Sequence, residues 1–165
     1  MRIGIIGPSK LEYVRKINEN SEEIIWEIVK IIAKSGNEVV LTPDKDSVSE
    51  FFAEKFIENK GKKVYVIVPL EDKEFGFTRL NLDLGEQINC GTWRNQPEKL
   101  NEECDVLLCL GYSVGGLIEI AYSKWFKPKK VYIIKELISK ELPEDGVREL
   151  DIKYISYKEI VKIIE

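Results

Sequence analysis

Short apolar, β-branched runs alternate with helical stretches along this chain, and that alternation leaves few folds open to it. Residues 3–6, 39–41, 64–68, 105–110 and 131–134 each read as a strand, with a shorter last one at 152–155. Residues 21–35 carry Ile24, Ile25, Ile28, Ile31 and Ile32 at helical spacing and stop at Gly36. Asp46 or Ser47 can cap a helix running to Asn59, and residues 157–164 read as a closing amphipathic helix. Another helix opens at Gly115-Gly116 and is expected to carry Ile118, Ala121, Tyr122 and Trp125 inward, with Lys127-Pro128 breaking the chain before the next strand. This order predicts βαβ units around a mainly parallel sheet, an α/β, three-layer, doubly wound Rossmann-like fold. The 105–110 run is apolar without interruption, as a central strand covered on both faces would be.

Over 69–103 the pattern fades, and the gap exceeds the roughly two to six residues usual in such connections. A lid, a short helix or a hairpin would each fit there. No repeat, low-complexity tract or linker divides the chain, so residues 1–165 are expected to form one domain. A chain of that length buries about 70% of the surface exposed when unfolded, enough for a core without disulfides or metal.

Composition removes several function classes. With 29 acidic residues against 25 basic ones the chain lacks the basic excess of a nucleic-acid binder. No run is apolar and long enough to span a bilayer, and the opening Met-Arg-Ile-Gly-Ile-Ile-Gly is too short for a signal peptide, so a cytoplasmic location is expected. The sequence contains no histidine, which excludes Ser-His-Asp and Cys-His nucleophiles and the usual histidine-bearing metal sites. Cys90, Cys104 and Cys109 form no CxxC pair; Cys104 and Cys109 are expected in the core, and no metal or resident cofactor is called for. Acid–base work must fall to carboxylates, Lys, Tyr or Cys. Abundant Ile, Lys and Glu beside two Gln and one Met suit a thermophile.

Open parallel sheets bind ligands beyond the carboxyl ends of their strands. Two loops are expected there. Gly7-Pro8-Ser9-Lys10 leaves the first strand, and Gly7 allows close backbone approach while the Ser9 hydroxyl and backbone N–H groups can donate to an anion. The stretch from Gly111 through Tyr112, Ser113, Val114, Gly115 and Gly116 to Glu119 leaves the fourth strand and enters a helix. Glycines at such a junction expose the first N–H groups of the helix, which together with the helix dipole favour a phosphate. Glu119 lies one turn in, where a carboxylate can face that ligand; an acid near a helix start is also favourable without any function. Arg94, beside Trp93 in the oversized connection, offers a fork for phosphate or carboxylate, although a lone Arg is usually a solvated surface group.

At these residues the chain resembles the Rossmann-like superfamily that contains the LOG proteins, often misnamed lysine decarboxylases, together with molybdenum-cofactor carrier proteins and nucleotide sensors. The likeness spans nearly the whole chain and is densest over 105–119, which is similar to the family's strand followed by PGGxGTxxE. Gly115 stands at the glycine of GT, Gly116 at its threonine, and Glu119 at the final glutamate; Tyr112-Ser113 replaces adjacent glycines. Arg94-Asn95 resembles the Arg-Lys or Arg-Asn pair carried before that strand. The likeness implies binding of a nucleotide or other phosphate-bearing small molecule, homo-oligomers, and, for LOG-type enzymes, hydrolysis of the N-glycosidic bond of nucleoside 5′-monophosphates. In that reading Glu119 acts at the ribose, Arg94 holds base or sugar, and Ser113, Gly115 and Gly116 grip phosphate. Where LOG enzymes carry GGGxxGLMG this chain has Thr42-Pro43-Asp44-Lys45-Asp46-Ser47-Val48, which inserts side chains and negative charge. A non-catalytic carrier or sensor is the alternative that this departure raises. The stretch Gly116 to Tyr122 also resembles the helix start of nucleoside deoxyribosyltransferases. The helix opened by Gly115 is more apolar than one buried face requires, which makes it the candidate dimer contact.

Overall fold

In the computed structural model, residues 1–126 and 129–165 are described; the expected Lys127-Pro128 break lies outside them. Among the described residues seven strands, all parallel, form one sheet in the order β4-β3-β2-β1-β5-β6-β7. They are β1 (Arg2–Ile6), β2 (Glu38–Leu41), β3 (Val64–Val68), β4 (Glu86–Asn89), β5 (Val106–Cys109), β6 (Lys130–Ile134) and β7 (Asp151–Ile155). The helices are α1 (Leu11–Ile17), α2 (Ser21–Lys34), α3 (Val48–Glu58), α4 (Gln96–Glu103), α5 (Val114–Tyr122), α6 (Glu144–Val147) and α7 (Val161–Ile164). The doubly wound α/β expectation holds.

Alternation along each central strand builds two cores. Ile3 and Ile5 of β1, with Val39 and Leu41 of β2 and Leu108 of β5, pack with Ile25, Ile28 and Ile32 of α2 and Phe52 and Phe56 of α3. Ile6, Val40, Leu107, Cys109 and Val131 point the other way and meet Leu100 of α4 and Ile120 of α5. Sheet positions buried on both faces need apolar side chains at every residue, which is why these strands read as unbroken runs rather than alternating ones. All three cysteines are buried and free, Cys104 and Cys109 among the core residues as expected.

Two expectations change. The faded segment 69–103 contains a strand and its crossover helix, β4 and α4. As the edge strand, β4 is Glu-Gln-Ile-Asn with none of its residues buried, so it carries no apolar run to detect. The inward face of α5 also differs from the one its apolarity predicts. Gly116, Glu119, Ile120 and Ser123 are the buried stripe, while Val114, Leu117, Ile118 and Ala121 face out and Trp125 is 74% exposed. Both stripes have helical spacing, and when the outer one is the more apolar the sequence points to the wrong side. No helix of the described residues is long and apolar enough to cross a membrane.

Candidate ligand cleft

Strands β2 to β4 run out on one side of β1 and β5 to β7 on the other. The loops leaving β1 and β5 therefore part at the switch point, where a crevice forms beyond the strand ends. A cleft of about 830 Å³ opens there, within the size range of small-molecule sites. Gly7, Ser9 and Lys10 line it after β1, Thr42, Asp44 and Lys45 after β2, and Ser113 to Gly116 with Glu119 at the start of α5. Arg79, Trp93, Gln96 and Pro97 complete the wall from the segment between β3 and β5.

The β1 and β2 loops are laced together: the Val48 N–H donates to the Pro8 carbonyl (3.1 Å) and the Leu11 N–H to that of Asp46 (2.9 Å). Ser47 caps α3, its hydroxyl accepting from the Glu50 N–H at 3.0 Å and donating to the Asp44 carbonyl at 2.6 Å. The segment where LOG enzymes carry glycines is thus an ordered turn ending in a capped helix, and its side chains enter the cleft.

At α5, Ser113 is the N-cap: its hydroxyl accepts from the Gly116 N–H at 2.9 Å and reaches the Gly7 carbonyl at 3.4 Å. The Leu117 N–H is taken by the Ser113 carbonyl. The amides of Val114 and Gly115 have no partner among the described residues, and Gly115 is exposed with open space where a side chain would begin. At Gly116 a Cβ would lie 3.1 Å from Ser113 Oγ, so that glycine protects the cap. Gly111 and Pro8 play another part. With φ of +122° and Val14 and Pro8 within 2.7 and 3.1 Å of a Cβ position, Gly111 makes the turn that points the β5 loop, and both residues sit behind the cleft.

Glu119 is 8% exposed. Its Oε1 accepts from Gln96 Nε2 at 2.8 Å, and the same amide donates to Thr42 Oγ1 at 2.8 Å. Its backbone carbonyl accepts from Asn101 Nδ2 at 2.9 Å, tying α4 to α5. Burial pushes the carboxyl up to about 8, against the pull of the Gln96 hydrogen bond and with added repulsion from Asp44. Asp44 is raised by burial too, countered by Arg79, whose Nε stands 3.3 Å from Asp44 Oδ1.

Of the residues expected in the site, Gly7, Ser9, Ser113, Gly115, Gly116 and Glu119 come together. Arg94 does not: it is absent from the cleft wall, its side chain is 71% exposed, and its guanidinium pairs with Glu74 at 3.0 Å. Trp93 lines the cleft, but the next residue along the turn leading into α4 points to solvent. Arg79, Asp44, Thr42 and Gln96 were not foreseen as site residues. Only Asp44 left a sign, as charge inserted where the family has glycine.

No protein-family model and no curated protein sequence matches the chain. Solved structures do match. The molybdenum cofactor binding protein from the phototrophic bacterium Rippkaea orientalis superposes with a TM-score of 0.73 at 18% identity, covering 99% of this chain and 94% of that one. The Moco carrier protein from Chlamydomonas reinhardtii gives 0.73 at 17% identity, with the same 99% and 94% coverage. The fold is that of the molybdenum cofactor carrier proteins. A structural-genomics target, TM1055, also superposes, at 23% identity and a TM-score of 0.73 over 99% of this chain and 97% of its own. The likeness in architecture spans nearly the whole chain, at identities that speak to the fold alone.

Proposed function

We propose that this protein binds a small phosphate-bearing molecule, its phosphate on the Val114 and Gly115 amides at the N-terminus of α5, and acts as its carrier or sensor. The observation that carries this reading is the pair of unpartnered amides beside an open Gly115, at the end of a helix whose dipole favours an anion. Lys10 and Lys45 on the same cleft add positive charge. The structural neighbours are, by their names, a molybdenum cofactor binding protein and a carrier of that cofactor, which makes this cofactor one ligand to try, and the LOG resemblance adds nucleoside monophosphates. The test is thermal unfolding with inorganic phosphate, nucleoside monophosphates and molybdenum cofactor, because a ligand of the folded state raises the melting temperature by mass action. A rise with any of them that Gly115→Ala abolishes supports the reading; no rise with any of them rejects it.

A second reading, an N-glycosidase acting on nucleotides, is favoured by the presence of Glu119 on the cleft wall. Burial pushes that carboxyl up to about 8, which favours its protonated form and suits it to protonating a departing base more than to stabilising an oxocarbenium-like centre. Release of free base from a nucleoside monophosphate, lost in Glu119→Ala, would establish it.

A further inference from the structure

One part of the cleft wall is built for a shape rather than a charge. The Arg79 guanidinium carbon lies 4.4 Å from the centroid of the Trp93 ring, and both residues line the cleft. The indole is fixed: Trp93 Nε1 donates to the Gly76 carbonyl at 2.7 Å and its backbone N–H to Asp72 Oδ2 at 3.0 Å. Asp72 is itself held by the N–H groups of Glu74 and Phe75. Arg79 is anchored at two points, its guanidinium by Asp44 and its carbonyl by the Lys45 N–H at 2.9 Å, and Asp44 and Leu80 form an antiparallel bridge. With its side chain 66% exposed, the guanidinium keeps surface open beyond the indole. An ion pair with Asp44 needs no aromatic ring, and phosphate binding at α5 needs neither.

We propose that Arg79 and Trp93 form the stacking subsite that holds the flat heteroaromatic ring of the ligand in this cleft. This rests on the phosphate reading of the same cleft and adds the second half of the ligand. Heterocycles stack on aromatic faces and on guanidinium planes alike, and such stacking tolerates differences in ring identity. Thr42, Gln96, Asp44 and Glu119, on the same cleft, supply polar groups for the edge of such a ring.

Isothermal titration with AMP, GMP, ribose 5-phosphate and adenosine separates the two halves. AMP or GMP is expected to bind about fivefold or more tighter than ribose 5-phosphate, the low end for one stacked base. Trp93→Leu and Arg79→Lys should each abolish that advantage and leave ribose 5-phosphate affinity unchanged, since Arg79→Lys keeps the charge and removes the plane. Cooperative melting and a native far-UV circular dichroism spectrum in both variants establish that the fold is intact. Equal binding of ribose 5-phosphate and both nucleotides overturns the stacking subsite and leaves the phosphate seat standing. Equal weakening of all phosphate probes by Arg79→Lys makes Arg79 a charge contact and also overturns it. Binding of adenosine as tight as AMP, lost in Trp93→Leu, supports the stacking subsite and rejects the phosphate seat. Binding of none of the four overturns both.

Discussion

Gln96 and Glu119 meet across the interface of α4 and α5, with the Gln96 amide 2.8 Å from Glu119 Oε1 and its other hydrogen on Thr42 Oγ1. A buried carboxyl given one amide donor and no cation keeps its proton to higher pH, because a single neutral hydrogen bond does not replace the lost water. Asp44 adds repulsion against ionising it.

That relationship makes stability pH-dependent with a definite sign. The Glu119 pKa rises from 4.5 unfolded to about 8 folded, so between those values the native state holds a proton that the unfolded chain has lost. Stability from this group is fully present below about pH 4.5 and is lost as pH climbs towards 8 and beyond. Asp44, also raised, contributes in the same direction. At about 1.4 kcal/mol per pKa unit, Glu119→Gln should gain up to a few kcal/mol at pH 9 relative to the native chain, and little or nothing at pH 4.5. Urea unfolding from pH 4.5 to 9 measures it, and a native chain whose stability stays flat across that range while Glu119→Gln tracks it would contradict the account.

Gly115 and Gly116 are neighbours with opposite requirements. Replacing Gly115 by Ala meets nothing within 4 Å and favours the helix, so stability should hold or rise by up to about 1 kcal/mol. Phosphate binding should fall, because the new methyl group sits where the anion approaches. Gly116→Ala crowds Ser113 Oγ at 3.1 Å and should cost about 1 kcal/mol, as removing an N-cap does. Thermal melts with and without ligand separate the two effects. A stabilised Gly115→Ala that binds as tightly as the native chain would move the phosphate seat elsewhere.

Arg94 gives a prediction of no effect. Its ion pair with Glu74 lies between side chains 71% and 56% exposed, and such pairs contribute little. Arg94→Ala should change stability by less than about 0.5 kcal/mol and leave nucleotide affinity unaltered. A loss of binding in this variant would mean that the ligand itself draws Arg94 into the cleft, which titration of the native and mutant chains would reveal directly.

How far the sequence could be read follows from what each element depends on. The strands β1, β2, β3, β5 and β6 announce themselves because burial on both faces demands continuous apolar side chains. The glycine-bearing turn into α5 announces itself because its backbone conformation and its cap demand small or hydroxyl residues. Strand β4 does not, since an edge strand with one half-buried Ile88 satisfies its hydrogen bonds without an apolar signature. Without β4, the short helix that the 69–103 segment allows has no fixed place, and Gln96 at its start gives no sign of the cleft. Arg79 was invisible for another reason: its meaning lies in Trp93 and Asp44, contacts that exist only after the 69–103 segment folds back on the β2 loop.

The outer stripe of α5 leads to the last prediction. Val114 is 79% exposed, and Leu117, Ile118 and Ala121 continue the same face, with Trp125 beyond. Residues at that spacing form one apolar ridge, and a helix ridge left in water is a candidate for pairing with its own copy about a two-fold axis. Self-association should therefore give a particle of twice the 19.1 kDa chain mass by light scattering at micromolar concentration, and Ile118→Glu should return it to one chain without lowering its stability. Val114 and Ile118 also line the cleft, so pairing would close part of its mouth and ligand affinity should rise with protein concentration. A native chain that remains at 19.1 kDa under these conditions would remove the dimer, and with it the expected dependence of affinity on concentration.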